Sequence, residues 1–392
     1  MANGIQKTQT VIGLMEESTE GTYVAPSAAT AYIQPLEDGF GIQPARELLD
    51  REVLSPNIGS ATPRLGIKSV TASLPVEFRA SGTEGAEPDF DLLLQGLLGS
   101  RRQVASRFTT STTHTTTQIN GTNIGTTFSV GDMIVVLEAG AYSYHFVSAT
   151  PTANAITITP PAPDAPPNAV VIAKVTTYFP ANSGHKALSI SNYWANTVRE
   201  AGIGCKVTSM TLDNFSTGQL ASLNFALEGL NYTQIDGAAP HTPTFDASLP
   251  PVILSATVYK GGTAAQINTL SLSVDNTLGF LTATESANGR IKSRVTNREV
   301  TGSINPYKDD TTVTIFDDFV AGTTFSLTAF AYVPSSTAGE ATLGSIVGIY
   351  LPSCIATELV VADEDGLLTD AITFKAVTGT VGDTNEIYIG MC

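Results

Sequence analysis

Charge is scarce in this chain. Only 14% of its 392 residues are Asp, Glu, Lys or Arg, where about a quarter is usual for a soluble domain. Basic residues are scarcer still: 20 Lys and Arg stand against 36 Asp and Glu, a formal net charge of −16. An acidic chain repels phosphate, so ordinary nucleic-acid binding is disfavoured. Cysteine is nearly absent. Cys205, Cys354 and Cys392 are odd in number and far apart. No CxxC or Cys/His spacing occurs, so neither a disulfide framework nor a zinc site is indicated. Cytoplasmic synthesis fits that usage. The opening MANGIQKTQT lacks the apolar core of a signal peptide. The longest apolar stretch, near 346–351, is far too short to cross a bilayer as a helix. A soluble protein that does not leave by the usual export route is expected.

Catalytic signatures are missing as well. No GxSxG, HExxH, P-loop or GxGxxG occurs, and Gly202-x-Gly204 has no third glycine in place. The histidines His114, His145, His185 and His241 lie in or beside expected loops and are never closely paired. A surface position is expected for each, not a catalytic one. The nearest approach to a metal site is Asp363-Glu364-Asp365-Gly366 with Asp370. Clustered carboxylates on a loop can hold calcium, but an EF-hand needs its glycine two places later. Asp365-Gly366 between apolar runs is also a hairpin signal, and the turn is the reading taken. No catalytic residue, cofactor site or metal site is expected.

What the chain does have is strand signal. Its hydrophobic fraction, 42%, is ordinary, and Thr, Ser, Gly and Ala fill the share that charge leaves. Alternating, β-branched runs predict strands over 68–78, 133–137, 155–159, 170–178, 188–191, 206–212, 221–227, 270–274, 299–304, 324–332, 371–377 and 386–389. Gly, Asn, Asp and Pro separate them. One helix is predicted over 88–99, where Phe90, Leu93, Leu94, Leu97 and Leu98 share a face. Pro88 suits its first turn, Asp89 and Asp91 complement the positive end of its dipole, and Gly99 suits a left-handed cap. Two segments interrupt the pattern. TTSTTHTTT, 109–117, reads as an extended connection, and PPAPDAPP, 160–167, does not join a sheet interior. Residues 118–179, with a turn at 129–132, read as a small inserted β-domain.

Internal echoes suggest a duplication. Val70-Thr71-Ala72-Ser73-Leu74 returns as Val300-Thr301-Gly302-Ser303-Ile304. Each is followed by an acidic loop and a helical stretch ending in glycine. The second of these stretches is 311–322, with Ile315, Phe316, Phe319 and Val320 on one face. Leu188-Ser189-Ile190-Ser191 and Leu270-Ser271-Leu272-Ser273 look like another matched pair. Short echoes in a Ser/Thr-rich chain also arise by chance, so a duplicated sandwich and one elaborated sandwich both stay open. The duplicated reading divides the chain into four. Residues 1–117 begin copy one, with an arm loop at 39–63; 118–179 are the insert; 180–245 complete copy one; 246–392 are copy two. In the arm, Arg46, Glu47, Asp50, Arg51 and Glu52 alternate in sign around Leu48 and Leu49. That run is either a solvated helical turn or an arm reaching a neighbouring subunit, and these five are the candidate inter-subunit contacts.

The order of features resembles the tail tube proteins of long-tailed, siphovirus-type bacteriophages. The likeness rests on Glu17-Ser18-Thr19-Glu20-Gly21-Thr22-Tyr23-Val24-Ala25-Pro26, on Pro63-Arg64, on the strand 70–78 and on the helix 88–99. It continues through Phe128-Ser129-Val130-Gly131-Asp132 to Ile349-Tyr350-Leu351-Pro352, followed by Asp365-Gly366. The resemblance implies a mainly β fold: an antiparallel β-sandwich or partial barrel with a flanking α-helix. It implies a structural, non-enzymatic subunit without cofactors that self-assembles into stacked rings. Those rings, trimeric with pseudo-sixfold symmetry or hexameric, would surround a lumen that conducts DNA during ejection without binding it specifically. The implied partners are the chain itself, the tape measure, the tail terminator and the tail-tip proteins, with no membrane. The implied place is the virion tail, after synthesis and assembly in the host cytoplasm. The alternative is a phage decoration protein or host-surface-binding β-module, which would share the β-rich, low-charge composition.

Overall fold

Antiparallel strands dominate the computed structural model, which describes residues 9–54, 59, 61–110, 112–246, 248–254, 256–308, 313–364, 366–379 and 383–392. Among these residues the strands make an 18-stranded sheet system and a separate 6-stranded sheet. The mainly β fold expected from the alternation is the one observed. Strand Arg64–Glu77 shows why. Val70, Ala72, Leu74 and Val76 are buried, while Thr71 and Ser73 face the other side, as the two-residue period of a half-buried strand requires. The first helix runs Asp91–Leu98, three residues shorter at its start than predicted; Pro88 accepts the Asp91 N–H at 3.0 Å in the turn leading in. Leu93, Leu94, Leu97 and Leu98 have no exposed surface, and Gly99, at φ 95°, closes the helix in the left-handed region.

The same frame occurs twice along the chain. The first pass is strands Thr10–Glu16, Tyr32–Ile33, Gly41–Leu49 and Arg64–Glu77, then helix Asp91–Leu98. It ends in strands Leu188–Trp194, Val198–Asp213, Ser222–Gly229 and Asn231–Asp236. The second pass is strands Thr257–Lys260, Thr263–Ala265, Ile267–Thr282 and Arg290–Pro306, then helix Val313–Ala321. Strands Phe325–Ala331, Val347–Glu364, Leu367–Ala376 and Tyr388–Met391 complete it.

The registers coincide as well as the order. Arg46 faces Lys68 and, past a register shift, Leu48 faces Leu65; Asn276 faces Arg298 and, past a shift, Leu278 faces Val295. Leu188 faces Cys205 with a slip at Ser189, and Phe325 faces Cys354 with a slip at Ser326. Val207 faces Leu227 with Thr208 bulged out; Ala356 faces Phe374 with Thr357 bulged out. Both bulge hydroxyls donate across the ladder, Thr208 Oγ1 to the Ala226 carbonyl at 3.0 Å and Thr357 Oγ1 to the Thr373 carbonyl at 3.2 Å. A slip of one residue would turn every side chain to the opposite face, so matching slips keep matching faces buried.

The echo at 70–74 and 300–304 therefore falls on equivalent positions. The other echo does not. Leu270 faces Ile304 in the hairpin before the second helix, whereas Leu188 belongs to the hairpin after the first. The structural counterpart of 188–191 is Phe325-Ser326-Leu327-Thr328. Apolar–polar alternation reads alike in any half-buried strand, which is how the wrong partner came to look right.

Two further differences from expectation concern the arm and the insert. Within 39–63, Gly41–Leu49 is a strand laid along Arg64–Glu77. Pro44 and the alternating charges argue locally against a strand, but an edge position tolerates both. Between the first helix and Leu188 the chain makes strands Gly99–Val104 and Val175–Pro180, which pair with each other; the second of them also pairs with Tyr388–Met391. Beyond them lies the 6-stranded sheet, from Phe108–Thr109 to Val171–Ile172. The single strand expected over 170–178 is thus split between two sheets. The small sheet has its own core, including Ile119, Ile134, Phe146 and Ile156, and Phe146 stacks on Phe330 and Tyr350 of the second pass at 5.4 and 5.3 Å.

Candidate assembly edges

The two passes are joined side by side in one sheet. Its run of strands is Gly41–Leu49, Arg64–Glu77, Ser222–Gly229, Val198–Asp213, Ile267–Thr282, Arg290–Pro306, Leu367–Ala376 and Val347–Glu364. The joint lies in the middle, where Ser209, Met210, Thr211 and Leu212 face Asp275, Val274, Ser273 and Leu272. Met210, Leu212, Leu272 and Val274 are buried there. The joint also completes the first helix. Buried Asn276 donates to the Leu97 carbonyl at 2.9 Å, and Arg298 donates to the Leu98 carbonyl at 3.3 Å. The last carbonyls of a helix have no partner within it and carry partial negative charge, so an amide and a guanidinium answer both needs.

At one end of the run, among the described residues, Gly41–Leu49 pairs only with Arg64–Glu77. Arg46 and Glu47 project from this strand, and Asp50, Arg51 and Glu52 follow its end; all five are exposed. Glu47 accepts the Ile67 N–H at 3.4 Å, and among the described residues none of the five belongs to an ion pair. Leu48, Leu49, Val53 and Leu54 are exposed beside them. At the other end, among the described residues, Val347–Glu364 beyond Cys354 pairs only with Leu367–Ala376. Val360, Val361, Leu367 and Leu368 are exposed along this edge, as are Phe316 and Val320 of the second helix. Unpaired strand edges with apolar rims are templates for another chain. Sequence reasoning singled out the charged run but missed Ile42 and Pro44 on its strand, and Leu359 and Val361 at the far edge. The apolar triplet Leu359-Val360-Val361 inside an acidic stretch was the available signal.

Groups that could do chemistry are spent on structure. Three of the four histidines are not at the surface. His114 is buried between the Thr110 hydroxyl at 2.9 Å and the Asn120 N–H at 3.1 Å. His145 is buried between the Pro160 carbonyl at 2.7 Å and the Ser143 hydroxyl at 2.9 Å, and burial pushes its pKa down to about 4. His185 is half-buried against the Gly96 and Ala181 carbonyls, and only His241 is exposed. Loops in this protein fold back onto sheets, so a loop position did not mean a wet one. The three cysteines are free and buried, and burial pushes Cys354 and Cys392 up to about 12 and Cys205 higher still. A thiol held protonated is a poor nucleophile. The acidic turn disperses its carboxylates. Asp363 accepts the Gly366 N–H at 3.2 Å, Glu364 takes the Asn268 and Asn305 amides, and Asp370 pairs with Lys308 at 3.1 Å. Asp365 lies outside the described residues. Among the described residues no three His, Cys, Asp or Glu side chains group as metal ligands, and no helix is long and apolar enough to cross a membrane.

Comparison with known proteins agrees with an assembling β-protein. No curated protein matches the chain. The family model for phage tail tube proteins matches residues 7–376. A protein whose sheet ends in two unpaired edges, and whose length is matched almost throughout by that family, belongs to the phage tail tube proteins and is a structural subunit of the virion tail that self-assembles into a tube.

Proposed function

We propose that this chain builds the tail tube of a siphovirus-type phage from three-chain rings, each chain supplying two copies of the sandwich. The observation that carries the reading is the frame that occurs twice, joined once within the chain and left open at both outer edges. Copy one is 1–117 with 180–245, and copy two is 246–392. The insert around 118–179 is rooted in Gly99–Val104 and Val175–Pro180. Rings of such chains close edges that would otherwise template aggregation. They alternate two kinds of contact, one inside a chain and one between chains, giving threefold symmetry that approximates sixfold. Six single-sandwich chains would instead make every contact alike.

The rings stack around a lumen lined by the polar face of the long sheet, on which Gln43, Thr71, Ser73, Thr211, Ser273 and Ser303 alternate with the buried residues. Asp213 and Asp275 add negative charge to that face, where Glu299 is balanced by Lys375 at 2.7 Å, so DNA passes during ejection without adhering. The exposed Arg46, Glu47, Asp50, Arg51 and Glu52 contact the adjacent subunit. The chain acts without catalysis or cofactor, and its other partners are the tape measure, tail terminator and tail-tip proteins, met in the host cytoplasm during assembly. Averaged cross-sections of isolated tails test this. Threefold rings of near-sixfold appearance are expected; true sixfold symmetry at subunit resolution overturns the duplication, and absence of the chain from tails overturns the tube role.

A further inference from the structure

We infer that the contact between chains copies the joint inside the chain, residue for residue. This rests on the ring reading above and adds the register. In the internal joint, 209–212 of Val198–Asp213 face 275–272 of Ile267–Thr282. The positions equivalent to 209–212 in the second pass are Glu358, Leu359, Val360 and Val361, since Ser209 faces Ala226 as Glu358 faces Thr373. The positions equivalent to 275–272 in the first pass are Ala45, Pro44, Gln43 and Ile42, since Asn276 faces Arg298 as Arg46 faces Lys68. Among the described residues both quartets lie on edges without a second neighbour. The occupant of each is therefore the other, on a second copy of this chain: Glu358 opposite Ala45, Leu359 opposite Pro44, Val360 opposite Gln43 and Val361 opposite Ile42.

Burial at matched positions supports the pairing. Met210, Leu212, Leu272 and Val274 are buried in the internal joint, while Val361 is 54% exposed and Pro44 is exposed. The helix end makes a second, independent argument. Asn276 and Arg298 serve the carbonyls of Leu97 and Leu98, just before Gly99. Their counterparts are Arg46 and Lys68, and the counterparts of the two carbonyls are those of Val320 and Ala321, just before Gly322 at φ 66°. Among the described residues neither Arg46 nor Lys68 has an ion pair. Two cations thus arrive at a helix C-terminus, the end that favours positive charge.

Disulfide trapping in assembled tubes tests the register. Directly opposed residues of an antiparallel pair have Cα atoms about 4.5–5.5 Å apart, within the span of a disulfide. The native cysteines are buried and stay silent. Chains carrying Gln43→Cys with Val360→Cys, or Ala45→Cys with Glu358→Cys, are assembled under reducing conditions and then oxidised. Covalent dimers and trimers are expected from both. Ala45→Cys with Ala362→Cys is four residues out of register, on the order of 13 Å apart, and is expected to stay monomeric on denaturing gels. Normal tubes in which neither matched pair links, or in which the mismatched pair links equally, overturn the inference while leaving the ring standing. Failure of the unsubstituted chain to enter any tube overturns the ring reading, and this inference with it.

Discussion

The two helices stand at the same place in the same frame and live in different surroundings. Leu93 and Leu97 are fully buried, whereas Phe316 and Val320, the same steps back from their capping glycines, are 62% and 68% exposed. The first helix is covered by the second pass, through Asn276 and Arg298, and by a root of the insert, where the Tyr178 hydroxyl donates to Asp91 at 2.7 Å. Among the described residues the second helix has neither kind of neighbour within the chain. Burial here is decided by what stands beside a copy as much as by the copy's own pattern.

The largest expected effect separates the helices directly. Leu97→Ala should cost the unassembled chain about 2–5 kcal/mol, as burial-deleting substitutions do. Val320→Ala should stay within about 0.5 kcal/mol, as exposed substitutions do. Denaturant unfolding of both variants measures the contrast, and equal losses would break it.

The next effect lies at the start of the first helix. Asp89, which leads into the first helix, lies 3.0 Å from Arg79, and its N–H donates to Asp246 at 2.9 Å. Burial raises the Asp89 carboxyl to about 6, Arg79 opposing and Asp246 adding to the rise. A carboxyl whose folded pKa exceeds its unfolded value stabilises most below the unfolded value, near 4, and loses that contribution as pH climbs through 6. The displacement of roughly two units corresponds to about 3 kcal/mol. Amide protection in the first helix should therefore fall between pH 4 and 7. Asp89→Asn should flatten the profile, and a pH-independent wild type would overturn the role given to Asp89.

The smallest effect should be the same in both passes. Thr208→Val and Thr357→Val each delete one hydroxyl hydrogen bond at equivalent bulges, so each should cost about 1 kcal/mol. Thermal unfolding compares them, and a cost at one position only would show that the bulges are not equivalent.

How much was legible follows from the same contrast. The strand expected at 68–78 and the helix at 88–99 were readable because their faces are buried by the chain's own fold, so period and burial agree. The edge strand Gly41–Leu49 was read as a loop because nothing covers it and its residues carry no alternation. The second helix was readable as a helix, yet the exposure of Phe316 and Val320 was not. The charged run was noticed by its composition, but its place on a strand beside Lys68 depends on pairing with residues beyond 63.

The amino-acid sequence by itself determined a β-rich, weakly charged, acidic chain with two capped helices and one true internal echo, because composition, period and turn chemistry are local properties. Only the tertiary structure decided that the frame repeats with its bulges at equivalent positions, that the true counterpart of 188–191 is 325–328, and which two edges stay open. Register is set by long-range hydrogen-bond ladders and by the faces they bury. Few residues need to be alike for two such ladders to coincide.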